Sequence, residues 1–162
     1  MERAIGIRVS PTEVYYTILE VNEEGQLEFI NESLIIPKAL DIPRKLSYIR
    51  TSLYSLICEH GITKAGLRIV EGNSQNIDTF RVNIEGVIQE LLANSTVNYY
   101  FTGRLDTIGS KFKKNKSIMK QCCNAQNNIF NIPRWEKLHK NHRESFLVGY
   151  ATIYREYEVG ED

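Results

Sequence analysis

Apolar positions along the chain recur with two different periods, and the places where the period changes divide the sequence into elements. Ala4 to Val9 (Ala-Ile-Gly-Ile-Arg-Val) has the apolar density of a central strand, and Ser10-Pro11-Thr12 ends it in a turn. Val14 to Val21 is rich in aromatic and β-branched residues, and Asn22 to Gly25 carries the glycine that tight hairpin loops favour. Leu27 to Ile36 forms a third strand closed by Pro37. Short turns between these segments predict an antiparallel meander.

The period then lengthens. Between Asp41 and Gly61, Leu46, Ile49, Leu53, Leu56 and Ile57 fall on one helical face, with Asp41 placed to cap the start, Pro43 in the first turn and Gly61 at the end. Ala65 to Val70 is a buried strand. Ile77, Phe80, Ile84, Val87, Ile88 and Leu91 define a second amphipathic helix from about Asn76 to Ala93, and Val97 to Phe101 a fifth strand. The segment after it is polar and lysine-rich, and is expected to be a loop leading into a helix. Beyond the turn-like stretch from Asn124 to Pro133, Phe146, Leu147, Tyr150 and Ile153 mark a last helix from Asn141 to about Tyr157.

The order is therefore β-β-β-α-β-α-β-loop-α. Helical crossovers join parallel strands with right-handed chirality, so the pattern predicts an α/β domain whose mixed five-stranded sheet, three antiparallel strands followed by two parallel ones, is flanked by helices. At 162 residues, with no linker or repeat, residues 1–162 are expected to form one domain. Hydrophobic residues make up 42% and no window approaches a membrane span, so no membrane association is expected. The N-terminus shows no targeting signal. Cys58, Cys122 and Cys123 lack metal-ligand or redox spacing and fit reduced thiols in a cytoplasmic compartment.

Twenty basic and twenty acidic side chains cancel, so any attraction for a polyanion has to come from a local patch. The candidate is Lys111 to Lys120, Lys-Phe-Lys-Lys-Asn-Lys-Ser-Ile-Met-Lys, in which Lys111, Lys113, Lys114 and Lys116 are grouped. Contacts from these lysines to DNA or RNA phosphates would be salt-sensitive. Arg104, Arg134 and Lys137 lie nearby in sequence. A solvated loop is the simpler account of such a run.

The element order, the opening Ile-Gly-Ile strand, the strand ending Arg-Ile-Val-Glu and the last helix near His-Arg-Glu-Ser-Phe resemble the ribonuclease H-like superfamily. The likeness is to its RuvC-like branch of Holliday-junction resolvases, and the chain is also similar to small uncharacterised bacterial proteins that look like inactive relatives of that branch. The resemblance implies a site where an aspartate after Ile-Gly-Ile, a glutamate ending the fourth strand and one or two aspartates on the last helix hold two divalent metals, Mg2+ or Mn2+.

Carried onto this chain, those positions fall on Arg8, Glu71 and Glu144, with Asn141 at the neighbouring aspartate. A guanidinium at the first position puts a positive charge where a bridging carboxylate belongs and opposes cation binding. The resemblance therefore implies a degenerate domain without a cofactor, acting by binding nucleic acid or a protein partner. The alternatives are a metal-dependent nuclease with a rearranged site, using Glu13 or Asp106, and an interaction module that does not bind nucleic acid.

Each site residue also has a structural reading. Glu71 and Arg8 can form a salt bridge that replaces the metals, and Glu144 suits the start of a helix for its dipole alone. His60, His139 and His142 lack zinc spacing and are expected at the surface. Tyr15, Tyr16, Tyr99, Tyr100 and Phe101 are expected to pack on strand faces rather than stack on bases, and the Cys122-Cys123 pair lacks the surroundings of a nucleophile.

Overall fold

Strand β1 (Arg3–Val9) lies at the centre of the sheet, with Ala4 to Val9 all buried, so both of its faces are covered. The computed structural model describes residues 2–72 and 75–155. β1 pairs antiparallel with β2 (Glu13–Val21), which pairs antiparallel with β3 (Leu27–Ile35). On its other side β1 pairs parallel with β4 (Lys64–Arg68), and β4 pairs parallel with β5 (Tyr99–Gly103). The order β3-β2-β1-β4-β5 is the mixed five-stranded sheet that the strand and crossover pattern predicts.

Alternation along β1 divides the core into two layers. Ile5, Ile7 and Val9 face α1 (Ile42–Glu59) and α2 (Thr79–Ala93), where they meet Ile49, Leu53, Ile57, Ile84 and Ile88. Ala4 belongs to the opposite layer, with α3 (Leu105–Lys111), α4 (Lys116–Cys123) and α5 (Lys140–Ile153). The end signals of α1 act as expected: the Asp41 carboxylate accepts from the Arg44 N–H at 3.0 Å, and Gly61 takes φ +60° just past the C-cap. Asp78 caps α2 in the same way, through the Arg81 N–H at 2.9 Å.

Three differences from the sequence expectations have physical causes. The fifth strand is displaced to Tyr99–Gly103, and Tyr99 and Tyr100 are exposed rather than packed, because β5 is an edge strand. The lysine-rich stretch does lead through a turn, Phe112 to Asn115, into a helix, α4, whose cap is Asn115, but it starts in a helix the sequence did not show, at the end of α3. Helix α3 is too short to show a periodic apolar face. The last helix ends at Ile153, and Tyr157 lies outside the described residues.

Helix α5 is buried along almost its whole length from Arg143 to Ile153, instead of showing one apolar face. It is covered on the outside by the segment between α4 and α5, including a 3-10 turn at Trp135–Lys137. Arg143 holds that segment down by donating to the carbonyls of Cys123, at 2.7 Å, and Leu138, while the Trp135 indole donates to the Cys122 carbonyl at 2.8 Å.

On the inside α5 rests directly on the sheet backbone. A Cβ on Gly6 would stand 1.8 Å from the Ser145 carbonyl oxygen, one on Gly66 2.3 Å from that of Val148, and one on Gly149 2.8 Å from the Gly6 nitrogen. Among the described residues no helix is long and apolar enough to cross a membrane.

Gly6→Ala is expected to destabilise the protein by about 3 kcal/mol or more, because backbone rather than a movable side chain blocks the new methyl. Gly86→Ala, in mid-α2 with nothing near its added Cβ, should stabilise by about 0.5 to 1 kcal/mol. Urea denaturation of the two variants checks the contrast.

Candidate functional site

The same alternation that turns Ile7 away from α5 turns Gly6 and Arg8 towards it, and Gly66 and Arg68 follow suit on β4. In the parallel register Arg8 is directly opposite Arg68, so two guanidinium groups lie side by side at the carboxyl ends of adjacent strands. Glu144 enters between them from α5. Its Oε2 is 3.0 Å from Arg8 Nε and its Oε1 is 3.4 Å from Arg68 Nη2. All three are buried, Arg68 to 2% and Glu144 to 4% of full exposure, so each charge depends on the others for compensation.

Arg8 also donates to the carbonyls of Arg68, at 3.2 Å, and Ile69, at 3.3 Å, satisfying the ends of β4. Burial pulls the Arg8 guanidinium down to about 10, against the opposing pull of Glu144 and with the help of Arg68 and Arg81, so it remains charged at neutral pH.

Glu71 does not pair with Arg8. The salt bridge expected between them is replaced by one from Arg68 Nη2 to Glu71 Oε1 at 3.1 Å, because Arg8 is drawn inward to Glu144 while Arg68 reaches the strand end. Glu71 Oε1 also accepts from the Leu105 N–H at 3.1 Å, and Lys116 Nζ stands 3.4 Å from Oε2. Partial burial works against ionisation of Glu71, but the Leu105 N–H, Arg68 and Lys116 outweigh it and hold the carboxyl below its ordinary range. An ion-pair chain thus runs from Arg8 through Glu144, Arg68 and Glu71 to Lys116.

Arg68, which opens the Arg-Ile-Val-Glu motif but to which the resemblance assigns no role, is the link that joins the two halves of this chain. Its signal in the sequence is an arginine two residues beyond Gly66, on the same face as Arg8 and directly after the apolar run Ala-Gly-Leu. A second layer adds Glu85, whose carboxylate accepts from the Val70 N–H at 3.3 Å and lies 3.6 Å from Arg81 Nε. Burial raises the Glu85 carboxyl above its ordinary value, against the pull of Val70, Arg81, Arg8 and Arg68. Exposed Arg104 donates to the Val70 carbonyl at 3.2 Å and lays its guanidinium across Gly72. Asn73, beyond it, lies outside the described residues.

These residues do not fit a pair of divalent metals. A hard cation needs several carboxylate oxygens with free lone pairs, whereas Glu71 and Glu144 are bridged by Arg68, and Arg8 stands on the remaining side. Among the described residues no three His, Cys, Asp or Glu side chains are grouped closely enough to hold a metal ion. The two carboxylates that could have served as substitutes are engaged elsewhere. Glu13 accepts from the Tyr15 hydroxyl at 2.7 Å, and Asp106 from the Thr107 N–H at 2.8 Å.

His139 and His142 lie at the surface, as expected, but each is held in place. His139 caps α5 by accepting from the Asn141 N–H at 3.0 Å and stacks on Tyr15 with centroids 5.0 Å apart. His142 lies edge-on to Tyr15 and bonds the Glu32 carbonyl through Nε2 at 2.9 Å. Cys122 and Cys123 are buried, which raises both thiols, that of Cys123 to about 12.

The four lysines are divided. Lys116 belongs to the ion-pair chain, whereas Lys111 donates to the Tyr99 hydroxyl at 3.1 Å and sits 5.1 Å from the centroid of Phe101. Lys113 and Lys114 are exposed on the turn between α3 and α4. Arg134 and Lys137 belong to the segment over α5.

No family model matches the chain, and no curated protein matches it. Solved structures do. The RuvC of Thermus thermophilus superposes with a TM-score of 0.65 at 10% identity, covering 92% of each chain. The same protein in complex with a Holliday-junction substrate gives 0.64 at 10% identity over 93% of this chain and 92% of that one. The yeast mitochondrial Holliday-junction resolvase Ydc2 gives 0.58 at 15% identity over 92% of this chain and 76% of that one. The fold is ribonuclease H-like, of the RuvC-like kind.

Arg8→Met is expected to cost about 3 kcal/mol, since Glu144 keeps only Arg68, and Arg8→Met/Glu144→Leu should regain most of it. Chemical denaturation of the two variants measures the difference. A depressed carboxyl contributes stability that is present above its unfolded value and lost as pH falls through the folded one. The wild-type protein should therefore weaken as pH drops below 4.5, the ordinary value for Glu71, and Glu71→Gln should remove that part of the acid dependence in thermal melts.

Proposed function

We propose that this chain is a catalytically degenerate RuvC-like domain that binds nucleic acid without cleaving it. The observation that carries the reading is the Arg8–Glu144–Arg68 cluster. At the strand edge where an open α/β sheet receives its ligand, guanidinium groups take the contacts that a metal would need.

The same substitution changes the sign of the edge. Arg8, Arg68, Arg81, Arg104 and Lys116 face three carboxylates, Glu71, Glu85 and Glu144. A site emptied of metal but still lined by acids would repel phosphates; this one attracts them. Lys113 and Lys114, exposed on the neighbouring turn, extend the run of cations beyond Lys116. Nucleic acid is favoured over a protein partner because the cations are grouped on one edge of a neutral molecule, and because the superposed Thermus thermophilus RuvC is solved in complex with a Holliday-junction substrate.

Fluorescence anisotropy with branched and linear DNA and with RNA tests the reading. Binding is expected with divalent metal chelated, weakening steeply as salt rises. Lys113→Ala/Lys114→Ala should lower the slope of log affinity against log salt by about 2, roughly 1 for each lysine that no longer pairs with a phosphate. Cleavage of a branched or single-stranded substrate in magnesium or manganese, abolished by Glu71→Gln, would overturn the proposal.

A further inference from the structure

The Glu71 carboxylate sits in a cradle of three donors. Arg68 Nη2 and the Leu105 N–H converge on its Oε1, each at 3.1 Å, and Lys116 Nζ approaches Oε2 at 3.4 Å. A tetrahedral phosphate has more acceptor oxygens than a carboxylate, and guanidinium, ammonium and backbone N–H groups are the donors that bind it best.

The cradle is rigid on one side and open on the other. Arg68 is 2% exposed and fixed by Glu144, and its Nε has no hydrogen-bond partner among the described residues. Glu71 and Lys116 are partly exposed, and Arg104 lies across Gly72 at the mouth. A rotation of the Glu71 side chain would free these donors, while Arg68 stays held by Glu144.

We infer that Glu71 is an internal competitor for a phosphate-binding cradle formed by Arg68, the Leu105 N–H and Lys116, and that a phosphate group displaces it on binding. The inference rests on the nucleic-acid reading for the source of that phosphate, but the cradle itself recognises the oxyanion alone. It gives Glu71 the opposite role to a metal ligand: its removal strengthens binding.

The test compares the wild-type protein with Glu71→Gln, Glu71→Gln/Lys116→Ala and Asp106→Asn. Asp106 is an exposed carboxylate on the same helix as Leu105 that does not enter the cradle, so its loss controls for net charge. Two probes are used: inorganic phosphate, followed by the amide chemical shift of Leu105, and a linear DNA duplex, followed by anisotropy.

Glu71→Gln should bind both probes about fivefold or more tightly than wild type. The gain should vanish in the double variant, and Asp106→Asn should stay within about twofold of wild type. Glu71→Ser carries the same comparison should Glu71→Gln fail to fold. Duplex binding that is unchanged or weakened by Glu71→Gln, or strengthened equally by Asp106→Asn, would overturn the inference while leaving nucleic-acid binding in place. A Leu105 shift with phosphate in Glu71→Gln, with no duplex binding by any variant, would support the cradle and overturn the nucleic-acid reading.

Discussion

The contact on which the rest of the structure depends is the seating of α5 against the backbone of β1 and β4. Gly6, Gly66 and Gly149 leave out the three methyl groups that would hold the helix away. Because the approach is backbone to backbone, the glycines set the height of α5 on the sheet, and with it the depth of Glu144. Five residues nearer the N-terminus than Gly149, that carboxylate is lowered between the ends of two parallel strands. Ser145, its neighbour, meets Thr17 of β2 at 2.6 Å and fixes the helix against sliding across the sheet.

A carboxylate brought to that depth has to be neutralised. Divalent metals are one solution, and they need additional acids to share them. Two arginines from adjacent strands are another, and they close the site to cations because their donors use the same oxygens. The two solutions share a scaffold and differ in the sign of what remains. Metal-free acids leave a negative crevice, whereas the Arg8 and Arg68 pair leaves a surplus of positive charge that extends through Lys116 and Arg104 to the surface. On the proposed reading, exclusion of metal and affinity for an oxyanion have one cause, the pairing of Arg8 and Arg68 with Glu144.

Much of this was legible in the sequence. Period changes located the meander and both crossover helices, Asp41 and Gly61 marked the ends of α1, and the resemblance assigned Arg8, Glu71 and Glu144 to one edge. The pairing within that edge was not legible. It depends on the parallel register that sets Arg68 opposite Arg8 across a long crossover, where no hairpin turn fixes which residues face each other. The helix α3 is too short to show its period, and Arg143, holding the segment over α5, reads in sequence as an ordinary charged helix residue. Tyr99 and Tyr100 were misjudged for a related reason: an apolar strand carries no mark of whether a neighbour covers it.

The central claim is that guanidinium groups occupy the place of metals at the ends of β1 and β4, and a crystal soaked in manganese tests it most directly. Anomalous scattering should show no ion near Glu71 or Glu144, with Arg8 Nε still within hydrogen-bonding distance of Glu144. Manganese bridging Glu71 and Glu144, with Arg8 swung out of the site, would contradict it.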